Sequence, residues 1–480
     1  MKRFPVPFIG GSNELASLNI DAQKSFNCFT ELDTASPRAP AALYGCPGLE
    51  LVQTIGTGPI LAMQQITPTT AVVVSGADVY LATSTTALKC GSLATTASIG
   101  IANNGVQILI VTGGPGYVMN SGGGGFAKIT DPQYPVGAGW ATYQDGWFIV
   151  GGIENSQKFY INENPYDSKA WNGLDVASAE GNPDFLLAGV SDHRELWLFG
   201  SNSIEVWADT GNATFPFERQ NNIFIEVGCA NKKSVAKLDN TLFWLGSDSR
   251  GQSDTVYRSD GYTPQRISTH SIERQIKGFS KSNMLSFAFR YEGHAFYVIS
   301  FPSNHRTFVY DVSTDLWHER GHLQSKNNSQ DYWKVSGYMV LANDIFFGSA
   351  TDGKIYRMDS KVYTYGDDPI LKLRRTTASE KTQNRAFYSR LQVDLETGVG
   401  SDPEDTQIYN PELMLRWSND GGHTWSNILS RPVGKVGEYS RRVIFNRLGT
   451  GRNRLWEISM SDPVKFVVMG GIVDADVASS

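Results

Sequence analysis

Apolar residues along most of the chain come in short continuous runs bounded by Gly, Asp or Asn, such as "AVVVS" at 71–75, "WFIVGG" at 147–152 and "LFWLG" at 242–246. A strand with one wet face alternates apolar and polar side chains, so unbroken runs of this length predict strands buried on both faces. The runs recur. Segments starting at Ile60, Ile99, Trp140, Leu186, Ser234, Ser286 and Val335 each read as an apolar strand, a turn with Asp, Asn or Gly, a second apolar strand, another turn, and a strand ending near Tyr or Trp. Their spacing of about 40 to 55 residues is that of a four-stranded propeller blade. Seven such segments predict six or seven blades, the choice resting on whether an end unit shares strands with the chain termini.

The pattern changes near "YTYGDDP", Tyr363 to Pro369. Beyond it, "AFYSRLQVDLETG", "ELMLRWSNDGG" and "NRLWEISMSDPVKFVVMGG" are longer and alternate more regularly between Gly and Pro turns, which predicts a β-sandwich. The expected fold is all-β: an N-terminal arm over 1–55, a β-propeller over 56–362 and a sandwich-like domain over 363–480. The acidic stretch "GSDPEDTQ" from Gly400 is expected to be a solvated loop.

Composition agrees, with 48 Gly and 55 aromatic residues favouring short strands and tight turns. A net charge of −6 gives no reason to expect a clamp on nucleic acid, because a mildly acidic surface repels a phosphate backbone. Cys28, Cys46, Cys90 and Cys229 have neither metal-ligand spacing nor the density of a disulfide scaffold, and are expected as thiols. No stretch approaches the 18 or so apolar residues of a membrane span, and the "MKRFPVPF" start lacks an export signal's apolar run.

Four stretches carry candidate chemistry. "WHERGH" carries His318, Glu319 and His322 in the pattern of helical zinc peptidases, where one helix face presents both imidazoles. Here the flanking residues read as a hairpin, Gly321 disfavours a helix, and strand geometry separates residues four apart by about 13 Å. The expectation is therefore no metal: Trp317 packs between blades, and the histidines lie on a strand edge at the rim, facing solvent. "SNDGGHTW" matches the Asp-box turn of sialidases and other propellers, with Ser418, Asp420, Gly422, Thr424 and Trp425 in the characteristic places. Asp420 would accept N–H groups within the turn, Gly422 would supply a positive φ and Trp425 would pack beneath, which is structural rather than catalytic. The glycine-rich "VTGGPG" and "SGGGGF" lead to no Gly-Lys-Ser/Thr and read as loop tips. Lastly, seven Lys or Arg between Arg431 and Arg454 face a single acid, Glu438. Alternation in "RRVIF" and "NRLWEISM" predicts that Arg441, Arg442, Arg447, Arg452 and Arg454 share one face, an interface for an acidic partner.

Two regions resemble a known family. "NCFTELDTASPRAPAALYGCPGLELV" carries Asn27, Phe29 and Glu31, then Leu43, Tyr44, Pro47, Gly48 and Leu49; near the other end stand "LRWSNDGGHTWS" and "RLGTGRNR" followed by Ser-Asp-Pro-Val. These are similar to the packaged-DNA stabilisation proteins of short-tailed bacteriophages, the tail-hub or nozzle subunits beneath the portal. The resemblance implies a virion tail protein without enzymatic activity or cofactor, made in the host cytoplasm. It implies a homohexameric ring that retains packaged DNA and forms the channel for ejection. Its partners would be the head-to-tail adaptor, tail spike or fibre and needle or tip proteins, with double-stranded DNA passing without tight binding. The competing readings are a sialidase-like carbohydrate-active propeller and a host-binding propeller module.

Overall fold

The computed structural model describes residues 2–33, 40–164, 166–179, 181–212, 214–247, 254–324, 329–377, 384–400 and 409–478, so residues 401–407 of the expected acidic loop lie outside it. Seven antiparallel sheets stand around one axis. Blade one consists of Ile60–Thr67, Thr70–Ser75, Asp78–Ala82 and Ala87–Ser92. Blades two to four begin at inner strands Gly100–Asn103, Trp140–Gln144 and Leu186–Asp192. Blades five and six begin at Ala236–Leu238 and Leu285–Tyr291. Blade seven has three strands from one part of the chain, Val335–Leu341, Asp344–Ser349 and Lys354–Asp359, and its fourth, Gly48–Thr54, from another.

That fourth strand closes the ring and moves the expected boundary at residue 55, because Gly48–Thr54 belongs to the propeller. The rest of the predicted arm is not an arm either. Lys2–Pro5, Cys28–Leu32 and Ala41–Gly45 join a sandwich sheet with Ala386–Leu395, Val443–Asn446 and Val467–Val477. Ala22–Phe26 joins the facing sheet with Lys372–Arg375, Leu455–Met460, Glu412–Ser418 and Leu429–Pro432. An apolar core including Leu391, Phe445, Trp456 and Val473 fills the space between these two sheets.

The apolar runs behave as strands clamped between neighbours. In "AVVV", Ala71 and Val73 join the cluster shared with blade seven, whereas Val72 and Val74 join the one shared with blade two. Leu242 and Trp244 likewise face blade four, and Phe243 and Leu245 face blade six. Trp317 packs in this last cluster, with its indole N–H donated to the Ile267 carbonyl at 2.8 Å. Five inner hairpins turn through two residues with positive φ: Asp145-Gly146, His193-Arg194, Asp239-Asn240, Glu292-Gly293 and Ala342-Asn343. That conformation matches the twist of the paired strands.

Propeller and sandwich meet at Asn27, which is fully buried with φ 53. Its backbone N–H donates to the Glu319 carbonyl at 2.7 Å and its carbonyl accepts from the Cys46 N–H at 2.9 Å. Its side-chain N–H groups donate to the Gly321 and Leu371 carbonyls, each at 3.0 Å. Its side-chain oxygen accepts from the Gly321 N–H at 2.9 Å and the Tyr365 hydroxyl at 3.3 Å. Beside it, His294 of blade six lies between Asp311 at 2.8 Å on Nδ1 and Glu31 of the N-terminal segment at 2.8 Å on Nε2. Burial would lower the pKa of His294, but the two carboxylates outweigh it and the pKa is raised. The cysteines are free thiols, with Cys28, Cys46 and Cys229 buried and Cys90 half-buried.

Two outcomes are expected. Asn27→Ala strands several buried polar groups and places a Cβ residue at positive φ, costing about 3 kcal/mol or more by denaturant unfolding; Asn27→Gly should recover only the backbone part, about 1 kcal/mol. His294 stabilises the fold below its unfolded pKa of about 6.5, and this contribution fades as pH rises through the raised folded value. His294→Gln should therefore destabilise more at about pH 5.5 than at about pH 9, compared as urea midpoints of the two proteins.

Candidate functional site

The His-Glu-x-x-His residues do not lie on a helix. His318 and Glu319 belong to the strand Leu316–Glu319 and both are buried; the burial of His318 corrects the expectation that the histidines face solvent at the rim. The strand runs inward because its end pairs with Phe26 of the sandwich sheet. His318 packs against Phe29 and Phe296, and its Nε2 accepts from Arg320 Nε at 3.2 Å. Burial, then the Arg320 charge, pushes its pKa well below the ordinary value. Glu319 is ion-paired with Arg306 at 3.0 Å and Lys24 at 3.6 Å. His322 is half-buried against Tyr365, and a side chain at Gly321 would meet the Asp331 carbonyl at 2.1 Å. The pattern thus serves the joint between domains. Among the described residues, no group of three or more His, Cys, Asp and Glu is placed to hold a metal ion.

The Asp box forms a clipped turn. Asp420 accepts from the Thr424 N–H at 2.9 Å and from the hydroxyls of Thr424 and Ser418, at 2.5 and 2.7 Å. Ser418 Oγ accepts from the Gly422 N–H at 2.8 Å, and Gly422 has φ 93. The Trp425 indole N–H donates to the Gly422 carbonyl at 3.1 Å while its ring lies under the guanidinium groups of Arg375 and Arg416. The Asp420 carboxylate accepts from one backbone N–H and two hydroxyls, where several N–H groups were expected. The Thr424 and Ser418 hydrogen bonds hold the Asp420 pKa well below the usual carboxylate range.

The arginine-rich stretch divides in two. Arg454 is fully buried, which corrects its expected place in the interface. Its guanidinium donates to Asn419 Oδ1 at 2.8 Å, the Leu448 carbonyl at 2.6 Å and the Thr450 carbonyl at 2.9 Å, and lies over the rings of Tyr388, Trp417 and Trp456. Burial pulls its pKa to about 10. The others do not share one strand face. Arg441 and Arg442 precede Val443–Asn446, Arg447 occupies a turn with φ 62, and Arg452 follows the short strand Thr450–Gly451. All four are exposed. Arg441 pairs with Glu438 at 2.6 Å, whereas Arg442, Arg447 and Arg452 have no ion pair among the described residues.

Two remote residues complete this surface. Arg3 and Arg390 line a cleft of about 270 Å³ with Arg442, Gln392, Ile472 and Asp474. Asp474 answers Arg3 at 3.2 Å and Arg390 at 3.8 Å, so two guanidinium groups share one carboxylate while Arg442 lines the same cleft without an ion pair. No local sequence signal joins positions so far apart; pairing of Arg3 and Arg390 with Asp474 across three strands does. Exposed Phe387, Tyr439 and Ile472 belong to the same domain, and arginine beside exposed aromatic side chains is characteristic of protein interfaces. A second cleft of about 480 Å³ has the opposite character, with Glu31, Asp33 and Glu396 around Tyr44, Val399, Tyr439 and Met469.

Comparison with known proteins matches two family models in succession along the chain. Residues 17–363 match a family described as "Bacteriophage P22 Gp10, beta-propeller" and residues 373–476 one described as "Bacteriophage P22 Gp10, beta-sandwich". No curated protein matches the sequence. Among solved structures, the computationally designed Ika8 protein is 12% identical, with 72% of this chain and 100% of that one covered at a TM-score of 0.39. The extracellular domain of BT4673 from B. thetaiotaomicron is 12% identical, with 85% and 57% covered at a TM-score of 0.44.

The division of the arginines can be tested by substitution. Arg454→Ala is expected to cost about 3 kcal/mol or more in denaturant unfolding, because three carbonyl groups lose their donor and three rings lose their packing; Arg452→Ala should change stability by less than about 0.5 kcal/mol.

Proposed function

We propose, from the premise that this chain belongs to the bacteriophage P22 Gp10 family and is a structural component of the phage tail, that it forms a homohexameric hub below the portal and adaptor. The hub retains packaged DNA and forms the channel for its ejection, and the chain catalyses no reaction. The observation that carries this reading is a set of exposed arginines in the sandwich domain of a chain with net charge −6: unpaired Arg442, Arg447 and Arg452, with Arg3 and Arg390 beside Arg442 in one cleft. Such a set attracts an acidic protein surface, and partly apolar neighbours add area that excludes water.

Ring formation needs two different patches on each subunit, because a head-to-tail contact joins unlike surfaces and closes when the rotation allows. The acidic cleft around Glu31, Asp33 and Glu396 and the arginine cleft are such a pair, opposite in charge on a single domain. The adaptor, tail spike or fibre and needle or tip proteins would dock on what remains exposed in the ring. Negative net charge lets double-stranded DNA pass without the multiple phosphate contacts that make binding tight and steeply salt-dependent.

Electron microscopy of the purified protein should show rings with six-fold symmetry and a central hole. Reversing Arg442, Arg447 and Arg452 together to Glu should block attachment to adaptor-bearing heads or ring closure, with the monomer's thermal unfolding unchanged. Normal assembly by this variant, or tight binding of duplex DNA by the wild type at physiological salt, would overturn the docking role.

A further inference from the structure

Two Asn-Gly pairs occur in the chain, Asn104-Gly105 and Asn172-Gly173, each followed by a branched apolar residue, Val106 or Leu174. In such a pair the glycine nitrogen, unshielded by a side chain of its own, stands within reach of the asparagine's amide carbon, and a bond between them is an intramolecular step favoured by proximity. Sequence alone makes the two pairs equivalent. The fold does not.

Asn104 lies at the end of the inner strand Gly100–Asn103 of blade two, and Gly105-Val106 make the two-residue turn into Gln107–Val111. Gly105 has φ 86, as a hairpin turn that begins with glycine requires. The Asn104 side chain folds over this turn: its Oδ1 accepts from the Val106 N–H at 2.9 Å and from the Gln107 N–H at 2.7 Å. The Gly105 N–H, by contrast, has no acceptor among the described residues. The turn is open to water, with Gly105 exposed, Val106 69% exposed and nothing within 4 Å of where a Cβ on Gly105 would stand.

These are the parts of a reaction. When a nitrogen attacks an amide carbon, charge moves onto the amide oxygen, and N–H groups already aimed at that oxygen stabilise the charge as it forms. Val106 and Gln107 supply two such groups. The nucleophile is the Gly105 nitrogen after its proton has passed to hydroxide. A bond forms from this nitrogen to Asn104 Cγ, the Cγ–Nδ2 bond breaks, and ammonia leaves with a proton taken from water, which restores the hydroxide. Water then opens the resulting five-membered imide at one carbonyl or the other, giving aspartate or isoaspartate. The sum is asparagine plus water to acid plus ammonia, with no change of oxidation state.

Asn172 lacks this arrangement. It lies in the outer strand Trp171–Ser178 of blade three, where its Oδ1 accepts from the Leu174 N–H at 3.0 Å, one donor among the described residues where Asn104 has two. The Gly173 N–H donates to Gln133 Oε1 at 2.8 Å, and the Trp171 N–H donates to Asp131 Oδ2 at 2.9 Å. An N–H held by an acceptor is not free to pass its proton to hydroxide, so this nucleophile is shielded.

We propose that Asn104 is a self-modification site of the folded protein, converted to aspartate or isoaspartate by attack of the Gly105 nitrogen, while Asn172 is spared. The aspartate product can keep both N–H bonds, now made to a charged oxygen, so the turn tolerates that change. What changes is charge at this end of the propeller axis. The inner hairpins of blades three to six are already paired there in succession, Asp145 with Arg194, Asp192 with Lys237 and Asp239 with Arg290. The blade-two tip, Asn104 to Gln107, carries no charge until its amide is lost. A protein locked into a particle is not replaced, so the added negative charge accumulates with age. The site depends neither on the hub's ring nor on the exposed arginines.

The test incubates the full chain in heavy-oxygen water, folded and in urea, and follows oxygen uptake by mass spectrometry in the separate peptides that hold the two pairs. In the folded protein Asn104 should react at least about tenfold faster than Asn172, and faster as pH rises. In urea, where both pairs are stripped of their neighbours, the two rates should converge. Gln133→Ala, a substitution at an exposed side chain, frees the Gly173 N–H and should speed Asn172 several-fold while leaving Asn104 unchanged. Equal rates in the folded protein, a preference for Asn104 that survives in urea, no change at Asn172 in the Gln133→Ala protein, or an unlabelled Asn104 would each overturn the proposal.

Discussion

Every part of this molecule meets at one asparagine. Asn27 sits where the chain passes from Ala22–Phe26 in one sandwich sheet to Cys28–Leu32 in the other, a reversal that needs its positive φ. Its amide is shared between blade six, through Gly321, and the approach to the sandwich, through Leu371 and Tyr365. A buried amide with all its donors and acceptors engaged fixes geometry strongly, since any displacement leaves polar groups without partners in a dry place. This single residue therefore sets the angle between ring and sandwich. Glu319 with Arg306 and Lys24, and His294 with Asp311 and Glu31, brace the same joint with charge.

The closing strand extends this dependence around the ring. Gly48–Thr54 lies just beyond Pro47, and Cys46 is tied to Asn27. The strand that completes blade seven therefore continues directly from the N-terminal segment seated between the domains. Each blade is clamped by its neighbours through alternate residues of a single run, so loss of closure exposes faces on both sides of the gap. The polar joint and the apolar ring are thereby coupled: neither a free propeller nor a free sandwich retains all its strands.

The repeating architecture was legible because two-sided burial leaves a mark in the sequence, the unbroken run. Turn chemistry was less so. Of five inner hairpins with paired positive φ, Asp145-Gly146 and Asp239-Asn240 carry the usual residues, while His193-Arg194 and Ala342-Asn343 take the same conformation because the strands on either side are fixed by the ring. The N-terminal arm was misread because its strands pair with partners more than 300 residues away, a distance over which no periodicity acts. His318 was placed at the rim for the same reason: part of its burial comes from Phe29, nearly 300 residues away, and its strand ends against Phe26. The Asp box is a purely local device, with its hydrogen bonds contained within residues 418–425. At the candidate interface the sequence marked the charge excess but could not divide it.

That division is what a function based on docking requires. Arginine is always charged, yet its flat guanidinium stacks on rings and satisfies carbonyl groups, so it can serve as core as readily as surface. Arg454, Arg374 and Arg320 are all fully buried, held by backbone carbonyls, aromatic rings or both. Their charges are spent on the fold. Among the described residues, Arg442, Arg447 and Arg452 differ in having neither an aromatic ring beneath the guanidinium nor an ion pair, and Arg442 lines the cleft in which Arg3 and Arg390 pair with Asp474. A cation kept exposed and unpaired in an acidic chain gives the fold little, since even paired surface charges contribute about 1 kcal/mol at most. What it supplies instead is long-range attraction and orientation toward a negative partner, which is the property an assembly built from many separate proteins depends on.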